Sequence, residues 1–362
     1  MAVPNNQLDP KPVLTLVDFD GSRRNTFTTM RIILAWLVLY GHSFAIAKTP
    51  GVSDPLNRLF QGSMWIGELS VNSFFALSGF LVCASYVNRG FLDYAVSRGL
   101  RIFPALIISV IFVTMVLGAA TSTLRLSDYF SELETWRYLR NALAFFRMYW
   151  YLPGVFEGNV NQAVNGSIWT LTVEVRCYAL LAICGLLGVF QHRHIANFFL
   201  ACLFLFSLFY FYEVPMLGVK EKWARPAGYF LLGVILYVNR DRVVLDLRLA
   251  ALALLLCGSA MGKPWFDYVF AVSWVYLLFY LAYRSPYIDA DKKIGDISYG
   301  VYIYAWPIQQ LVVFLSPGMH PYENVIWSTL IVVPMSWLSW HYAEKPILGL
   351  KASLLKTRTR SD

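Results

Sequence analysis

Residues 64–87, MWIGELSVNSFFALSGFLVCASYV, form an apolar stretch long enough to cross a bilayer as a helix. A transmembrane helix needs about 20 mostly apolar residues. Since lipid cannot satisfy the open edge of a sheet, such stretches must be helical. Ten stretches fit this description: 28–47, 64–87, 100–120, 168–190, 196–213, 225–239, 245–262, 265–283, 296–315 and 324–343. The sequence therefore predicts an all-α, polytopic integral membrane protein with about ten transmembrane helices.

Composition supports the same fold class. Hydrophobic residues make up 57% of the 362 residues and charged residues only 14%, against about 45–50% and about 25% in soluble domains. A soluble globule of this size cannot cover so much apolar surface with so few charges. The composition excludes a soluble enzyme, a disordered protein, a coiled coil and a collagen.

The formal net charge of +8 does not indicate a nucleic-acid partner, because the basic residues lie in short links between apolar runs. With the N-terminus inside, the inner links carry more Lys and Arg than the outer links. This bias predicts that both termini lie in the cytoplasm. Residues 1–27 lack an apolar core, so we expect the first span to be an uncleaved anchor.

The spans suggest one membrane domain between two tails. We expect a cytoplasmic N-terminal tail over 1–27, a transmembrane domain over 28–346 and a basic cytoplasmic tail over 347–362. The longest interruption, 121–167, contains the amphipathic stretch Tyr129–Trp150, which predicts one interfacial segment. The five cysteines lie in apolar runs without a C-x-x-C pair, so we expect small buried side chains and neither a disulfide framework nor a metal site.

Ionisable residues inside spans cost roughly 2.5–3.5 kcal/mol each and are functional candidates. Arg31 and His42 are 11 residues apart in the first span. Eleven residues turn a helix to within about 20° of three full turns, so both lie on one face about 16 Å apart. The alternative is an Arg that snorkels to the inner interface and a His that bonds a neighbouring helix.

Three further spans contain polar candidates. Arg98 and Arg101 lie at i and i+3 where the third span begins, and are either positive-inside residues or a fork for phosphate oxygens. Glu174 lies one turn before Tyr178, and such a carboxylate either pairs with an Arg or acts as an acid or base. Ser78, beside Gly79, permits close helix packing.

Together these segments resemble the membrane-bound acyltransferase-3 superfamily of bacterial sugar O-acyltransferases. The matching elements, over about 28–346, are Arg31 with His42, the Phe74–Leu81 run FFALSGFL, Arg98-x-x-Arg101-Ile102-x-Pro104, Trp169-Thr-Leu-x-x-Glu174-x-x-x-Tyr178, Gly295-x-x-Ser298-Tyr299-Gly300-x-Tyr302 and Glu344-Lys345-Pro346. The chain departs from the family pattern at Thr28 and Asn72, where acidic residues are common, and at Ala305, where His is frequent.

The resemblance implies transfer of an acyl group, usually acetyl from acetyl-CoA, to a hydroxyl of a glycan or lipid-linked sugar. It implies a bacterial inner-membrane enzyme that uses no metal. His42 would be the general base, with a covalent acyl-imidazole as a variant. Glu174 would orient His42 or pair with an Arg. Arg31, Arg98 and Arg101 would bind the negatively charged end of CoA.

Ser78, Trp169, Tyr178, Tyr299 and Tyr302 are the candidate substrate-binding residues. The main alternative function is a proton-coupled transporter or flippase that uses the Arg, His and Glu as a relay. We find no inverted repeat and no matching pair of broken short spans to support it. A non-catalytic membrane scaffold would leave the ionisable residues in the spans unexplained.

Overall fold

A computed structural model describes residues 14–19, 25–144, 148–209, 221–288 and 290–356. Most of the predicted N-terminal tail, the 210–213 end of one predicted span and residues 357–362 lie outside the described residues. Within the described ranges the chain is helical and has no strand. The α-helices are α1 (Phe27–Ile46), α2 (Pro55–Leu59), α3 (Ile66–Ile111), α4 (Ala119–Thr121), α5 (Leu126–Ser131), α6 (Leu133–Tyr138), α7 (Trp169–Leu186), α8 (Arg193–Phe209), α9 (Glu221–Val238), α10 (Leu247–Ser259), α11 (Phe266–Arg284), α12 (Ala290–Ile294), α13 (Ser298–Leu315), α14 (Pro321–Ser339), α15 (Lys345–Gly349) and α16 (Lys351–Lys356).

Short 3₁₀ and π segments join several of these helices. The 3₁₀ segments are Leu16–Phe19, Leu139–Leu143 and Val189–Gln191, and the π segments are Phe112–Gly118 and Trp340–Glu344. The second π segment ends at Glu344, which is almost fully buried. It therefore brings the Glu344-Lys345-Pro346 motif back against the helix bundle.

Helix α3 contains nearly all of the second predicted span, 64–87, and the first part of the third, 100–120, in one 46-residue element. The π segment Phe112–Gly118 and α4 continue the third span to Thr121. The two halves meet at a kink, where Gly90 adopts φ 78° and ψ 175°. Only glycine adopts this conformation readily, because it has no Cβ. The kink separates 64–87 from 100–120, as the two predicted spans require.

Four helices in the described part of the chain are long and apolar enough to cross a membrane. They are Phe27–Ile46, the continuous helix Ile66–Thr121, Trp169–Leu186 and Phe266–Arg284. Shorter apolar helices cover Arg193–Phe204, Arg225–Val238 and Leu247–Ser259. The all-helical membrane fold is thus confirmed, and the number of ten spans stays a prediction.

The predicted interfacial segment Tyr129–Trp150 is several short pieces rather than one helix. Glu132 is extended and separates α5 from α6. Ala144 adopts a left-handed conformation, which ends the 3₁₀ segment Leu139–Leu143. Arg147, which contributes to the predicted amphipathic pattern, lies outside the described residues.

Helices α3 and α9 approach until their backbones touch. A Cβ on Gly79 would lie 2.1 Å from the Phe230 carbonyl oxygen, and a Cβ on Gly233 would lie 2.1 Å from that of Ala76. This reciprocal contact confirms the packing role expected for Gly79, whereas Ser78 lines a cavity and donates a hydrogen bond to Glu174. Four of the five cysteines are buried as expected: Cys83, Cys177, Cys184 and Cys257. The expectation is wrong for Cys202, which is exposed because it lies on the outer surface of α8.

Helices α1 and α13 run in the same direction and fix the two ends of the candidate site. Near their N-terminal ends, Arg31 forms an ion pair with Asp296, which precedes α13. Further along, the His42 ring lies 4.7 Å from the Trp306 ring, centroid to centroid. The two contacts are separated by 11 residues on one chain segment and 10 on the other. The helices therefore stay in register over about 16 Å.

Candidate active site

A cavity of about 100 Å³ lies between α1, α3, α7 and α13. Its wall combines apolar side chains of α3 with polar side chains from all four helices. Eight of the residues selected from the sequence line it: Arg31, Ser78, Arg98, Arg101, Glu174, Tyr178, Tyr299 and Tyr302. Residues from four separate helices thus meet around one space.

Asp296 joins two of the three arginines. Its carboxylate lies 2.5 Å from Arg31 and 2.7 Å from Arg101, and it accepts a hydrogen bond of 2.6 Å from Ser298 Oγ. Arg101 also lies 3.4 Å from Glu344. Asp296 is only 6% exposed and Glu344 only 2%. Arg31 and Arg101 are therefore already neutralised by protein carboxylates.

Aromatic rings surround Arg101 as well. Its guanidinium carbon lies 5.7 Å from the centroid of Tyr299 and 5.5 Å from that of Trp340. Tyr299 donates a hydrogen bond of 2.9 Å to the Ile102 carbonyl. Cation–π contacts and ion pairs thus hold Arg101 in one position.

Arg98 differs from the other two arginines. Among the described residues it has no carboxylate within ion-pair distance, whereas Arg31 and Arg101 both do. Its buried Nε has no hydrogen-bond partner there, which is also true of Arg31 Nε. The guanidinium lies 6.0 Å from the centroid of the Tyr178 ring. Arg98 is accordingly the arginine of the cavity whose charge is not paired with a described carboxylate, and its donors are available to an anion.

Glu174 belongs to a hydrogen-bonded cluster on the cavity wall. It accepts hydrogen bonds from Ser78 Oγ at 3.2 Å and from the Tyr178 hydroxyl. Tyr94 donates to the Tyr178 carbonyl at 2.8 Å. Within the described ranges, neither His42 nor an arginine is a hydrogen-bond partner of Glu174. The structure thus shows neither of the two partners considered for Glu174 from the sequence.

Tyr302 and Trp169 have different positions although both were selected as substrate-binding residues. Tyr302 lines the cavity, donates to the Ser167 carbonyl at 3.0 Å and shares a hydrogen bond with Thr170 Oγ1. Trp169 is half-buried, packs against the apolar core and does not line the cavity.

His42 lies beyond the cavity, in a space bounded by indole rings. Its ring is 4.7 Å from Trp306 and 5.8 Å from Trp65, and the residue is 7% exposed. In the described part of the chain its buried Nδ1 has no hydrogen-bond partner. Trp306 lies one turn after Tyr302 on α13. The cavity and the imidazole are therefore neighbours along one helix.

The three departures from the family pattern have different surroundings. Asn72 is fully buried, and neither polar atom of its side chain has a partner among the residues described. Ala305 is also fully buried. Because this residue is alanine, it places no imidazole beside Trp306. Thr28 lies in the first turn of α1 and is half-buried.

Two carboxylates of the site were not selected from the sequence. Asp296 and Glu344 occur in the motifs near the C-terminus, but the pattern did not indicate which residues they contact. An acidic residue within a tyrosine-rich interfacial segment is the signal that could have identified them.

No group of three His, Cys, Asp or Glu residues within the described part could hold a metal ion.

Comparison with known sequences assigns the family. The sequence pattern of the acyltransferase-3 family, described as an acyltransferase domain, matches residues 25–343. The chain belongs to this family and is an acyltransferase. It is 26% identical to an O-acetyl transferase of Shigella phage Sf6, over 90% of this chain and 96% of that protein. It is 24% identical to nodulation protein 10 of Rhizobium leguminosarum bv. viciae, over 94% and 98%. No solved structure matches the chain.

We predict that Asp296→Asn strongly destabilises the protein. The change leaves two largely buried guanidinium groups without their shared carboxylate, and breaking a buried pair costs about 3–5 kcal/mol. The measurement is thermal unfolding of the purified protein in detergent. Asp241→Asn is the control, because it removes a pair with Arg193 on the exposed surface and should change the melting temperature little. Equal melting temperatures for the two variants would contradict the structural role of Asp296.

Proposed function

We propose that the chain transfers an acyl group, most readily acetyl, from acyl-CoA to a hydroxyl of a glycan or lipid-linked sugar, with His42 as the general base. The family and the name of the phage relative, an O-acetyl transferase, support acyl transfer to oxygen. The observation that carries the role of His42 is its buried imidazole, whose Nδ1 has no partner among the described residues. An imidazole in a structural role would be expected to use this nitrogen in a hydrogen bond.

The chemistry requires a base, because a sugar hydroxyl is a poor nucleophile near neutral pH. A neutral imidazole takes the hydroxyl proton while the oxygen attacks the carbonyl carbon of the thioester. The C–S bond then breaks, and the imidazolium returns the proton to the sulfur of CoA. In the variant mechanism the imidazole attacks the thioester first, the C–S bond breaks, and an acyl-imidazole and CoA thiolate form. The sugar hydroxyl then attacks the acyl carbon, the C–N bond breaks, and the hydroxyl proton ends on the thiolate.

The donor would enter from the end of the bundle that carries the arginines. Arg98 is the best candidate for a phosphate of CoA, since Arg31 and Arg101 are paired with Asp296. Drug-sized ligands occupy pockets of roughly 300–1,000 Å³. The cavity of about 100 Å³ is therefore too small for a whole CoA molecule; it would hold the narrow pantetheine arm, with the acyl end directed towards His42 and the nucleotide at the mouth.

Glu174 has a positioning role in this proposal. Its hydrogen bonds with Ser78 and Tyr178 join α3 to α7 on the cavity wall. The cluster would hold the wall in the shape that the pantetheine arm requires. Tyr299 and Tyr302 would line the same path towards His42, whereas Trp169 would support the wall from behind.

We further propose that this enzyme lies in the bacterial inner membrane with both termini in the cytoplasm. The arginine end of the bundle would then face the cytoplasm, where acyl-CoA is available.

The transporter alternative is less well supported, because the chain belongs to an acyltransferase family. Release of free CoA that depends on an added acceptor would identify the enzyme, since a carrier does not cleave the thioester.

We expect His42→Ala to lower acyl transfer by more than tenfold without unfolding the protein, because general bases contribute about 10²–10⁴-fold. The measurement is turnover of acetyl-CoA with acceptor, together with equilibrium binding of CoA, which should not change. His194→Ala is the control, since His194 is exposed. His320→Ala should also spare turnover, because His320 caps α14. More than a tenth of wild-type turnover in His42→Ala would remove His42 from the role of base.

We expect Arg98→Ala to weaken CoA binding by about tenfold or more, since a hydrogen bond to a charged group contributes about 1.5–3 kcal/mol. Isothermal titration of the purified protein with CoA measures the change. Arg89→Ala is the matched control: Arg89 lies in the same helix, and its side chain is 62% exposed. Unchanged CoA affinity in Arg98→Ala would contradict the placement of the donor.

A further inference from the structure

A second, much larger cavity lies in the segment between α4 and α7. Its volume is about 900 Å³ and it is lined by residues between 132 and 162. Three consecutive aromatic residues, Tyr149, Trp150 and Tyr151, form part of its wall. We call this cavity the aromatic groove. It is distinct from the cavity between α1, α3, α7 and α13, and the two share no lining residue.

Hydrogen bonds hold the aromatic wall in place. The Asn141 side chain donates to the Tyr149 carbonyl at 2.8 Å and accepts from the Tyr149 amide at 2.9 Å. The Val164 amide donates to the Trp150 carbonyl at 2.8 Å. Tyr151 is itself 62% exposed. The groove therefore presents an exposed ring directly after two residues whose backbone is held by hydrogen bonds.

The same segment connects the groove to the surroundings of His42. The Ala163 carbonyl, next to Val164, accepts hydrogen bonds from Trp306 Nε1 at 2.8 Å and Gln310 Nε2 at 2.7 Å. Trp306 in turn contacts His42. Trp306 and Gln310 lie towards the end of α13 opposite to Asp296 and Arg31. The groove is thus attached to the His42 end of the bundle.

The polar residues of the groove indicate what kind of ligand fits. Its carboxylates are Glu132, Glu134 and Glu157, and its cations are Arg137 and Arg140. Arg137 is already paired with Glu134. With more carboxylates than cations, the wall does not suit a polyanion such as the nucleotide of CoA. Carboxylates, the Gln162 amide and tyrosine hydroxyls do suit a ligand rich in hydroxyl groups.

We propose that the aromatic groove binds the acceptor glycan and delivers one of its hydroxyls to His42. The faces of aromatic rings carry partial negative charge and attract the polarised C–H groups on the flat face of a sugar ring. A volume of about 900 Å³ lies in the range of ligand pockets and has room for several sugar units. This inference rests on the proposed function, because it assigns the acceptor site of that same reaction.

The test uses the full chain in lipid nanodiscs and two probes. Both probes are made from the envelope polysaccharide of the source cells, from which mild alkali has removed the O-acyl groups. One probe is released from its lipid, and the other remains lipid-linked. Equilibrium binding of each probe is measured directly, and acetyl transfer is measured as a function of probe concentration with saturating acetyl-CoA.

The variants are Tyr151→Ala and Glu157→Gln, with Tyr268→Ala as the matched control. Tyr268 is 45% exposed and does not line the groove. We expect Tyr151→Ala to raise the Kd and the KM for both probes about tenfold, as for loss of one aromatic anchor. Glu157→Gln should raise them less. The KM for acetyl-CoA and kcat at saturating acceptor should stay unchanged, and the control should behave as wild type.

Unchanged Kd values for both probes in Tyr151→Ala would overturn the assignment of the groove. So would a higher KM for acetyl-CoA, which would move the donor into the groove. An effect on the lipid-linked probe alone would assign the groove to the lipid carrier and would also overturn glycan recognition. If the wild type binds both probes through Tyr151 but transfers no acetyl group, the groove stands and the proposed function fails.

Discussion

The carboxylate of Asp296, shared by Arg31 and Arg101, is the interaction on which the rest of the site depends. An unpaired charge within a span costs several kcal/mol, so each of these groups requires the others. The shared carboxylate connects α1, α3 and the start of α13 at one end of the bundle. With that end fixed, the parallel course of α1 and α13 brings His42 against Trp306 about 16 Å away. The ion pairs at one end thus help to set the register in which His42 contacts Trp306 at the other.

The two ends of the bundle differ in chemistry. One end carries three arginines and a cavity of about 100 Å³, and Arg98 retains free donors there. The other end carries His42 between indole rings and, attached through Ala163, an aromatic groove of about 900 Å³. In the proposed reaction the anionic donor enters at the arginine end, and the acceptor binds at the end that carries His42.

Periodicity and polarity were sufficient to predict the helical membrane fold, because lipid permits few alternatives. The family was predictable from six motifs in order, and most selected residues do meet around one cavity. Individual contacts were not predictable. Glu174 bonds Ser78 and Tyr178 rather than His42 or an Arg, since its partner depends on how α3 and α7 cross. The aromatic groove was not predictable, because an amphipathic pattern does not show how the segment 121–167 folds back on itself. Its shape depends on hydrogen bonds of the Asn141 side chain with Tyr149 and of the Val164 amide with Trp150.

If donor and acceptor enter from opposite ends of the bundle, as proposed, the acyl group passes through the membrane, and this is tested most directly in sealed vesicles of known orientation. Acetyl-CoA is supplied only on the cytoplasmic face, and the de-O-acylated polysaccharide is confined to the opposite face. We predict that O-acetylated polysaccharide accumulates on that face while free CoA appears on the cytoplasmic face. Product that forms only when donor and acceptor share one compartment would contradict entry of the two substrates from opposite ends of the bundle.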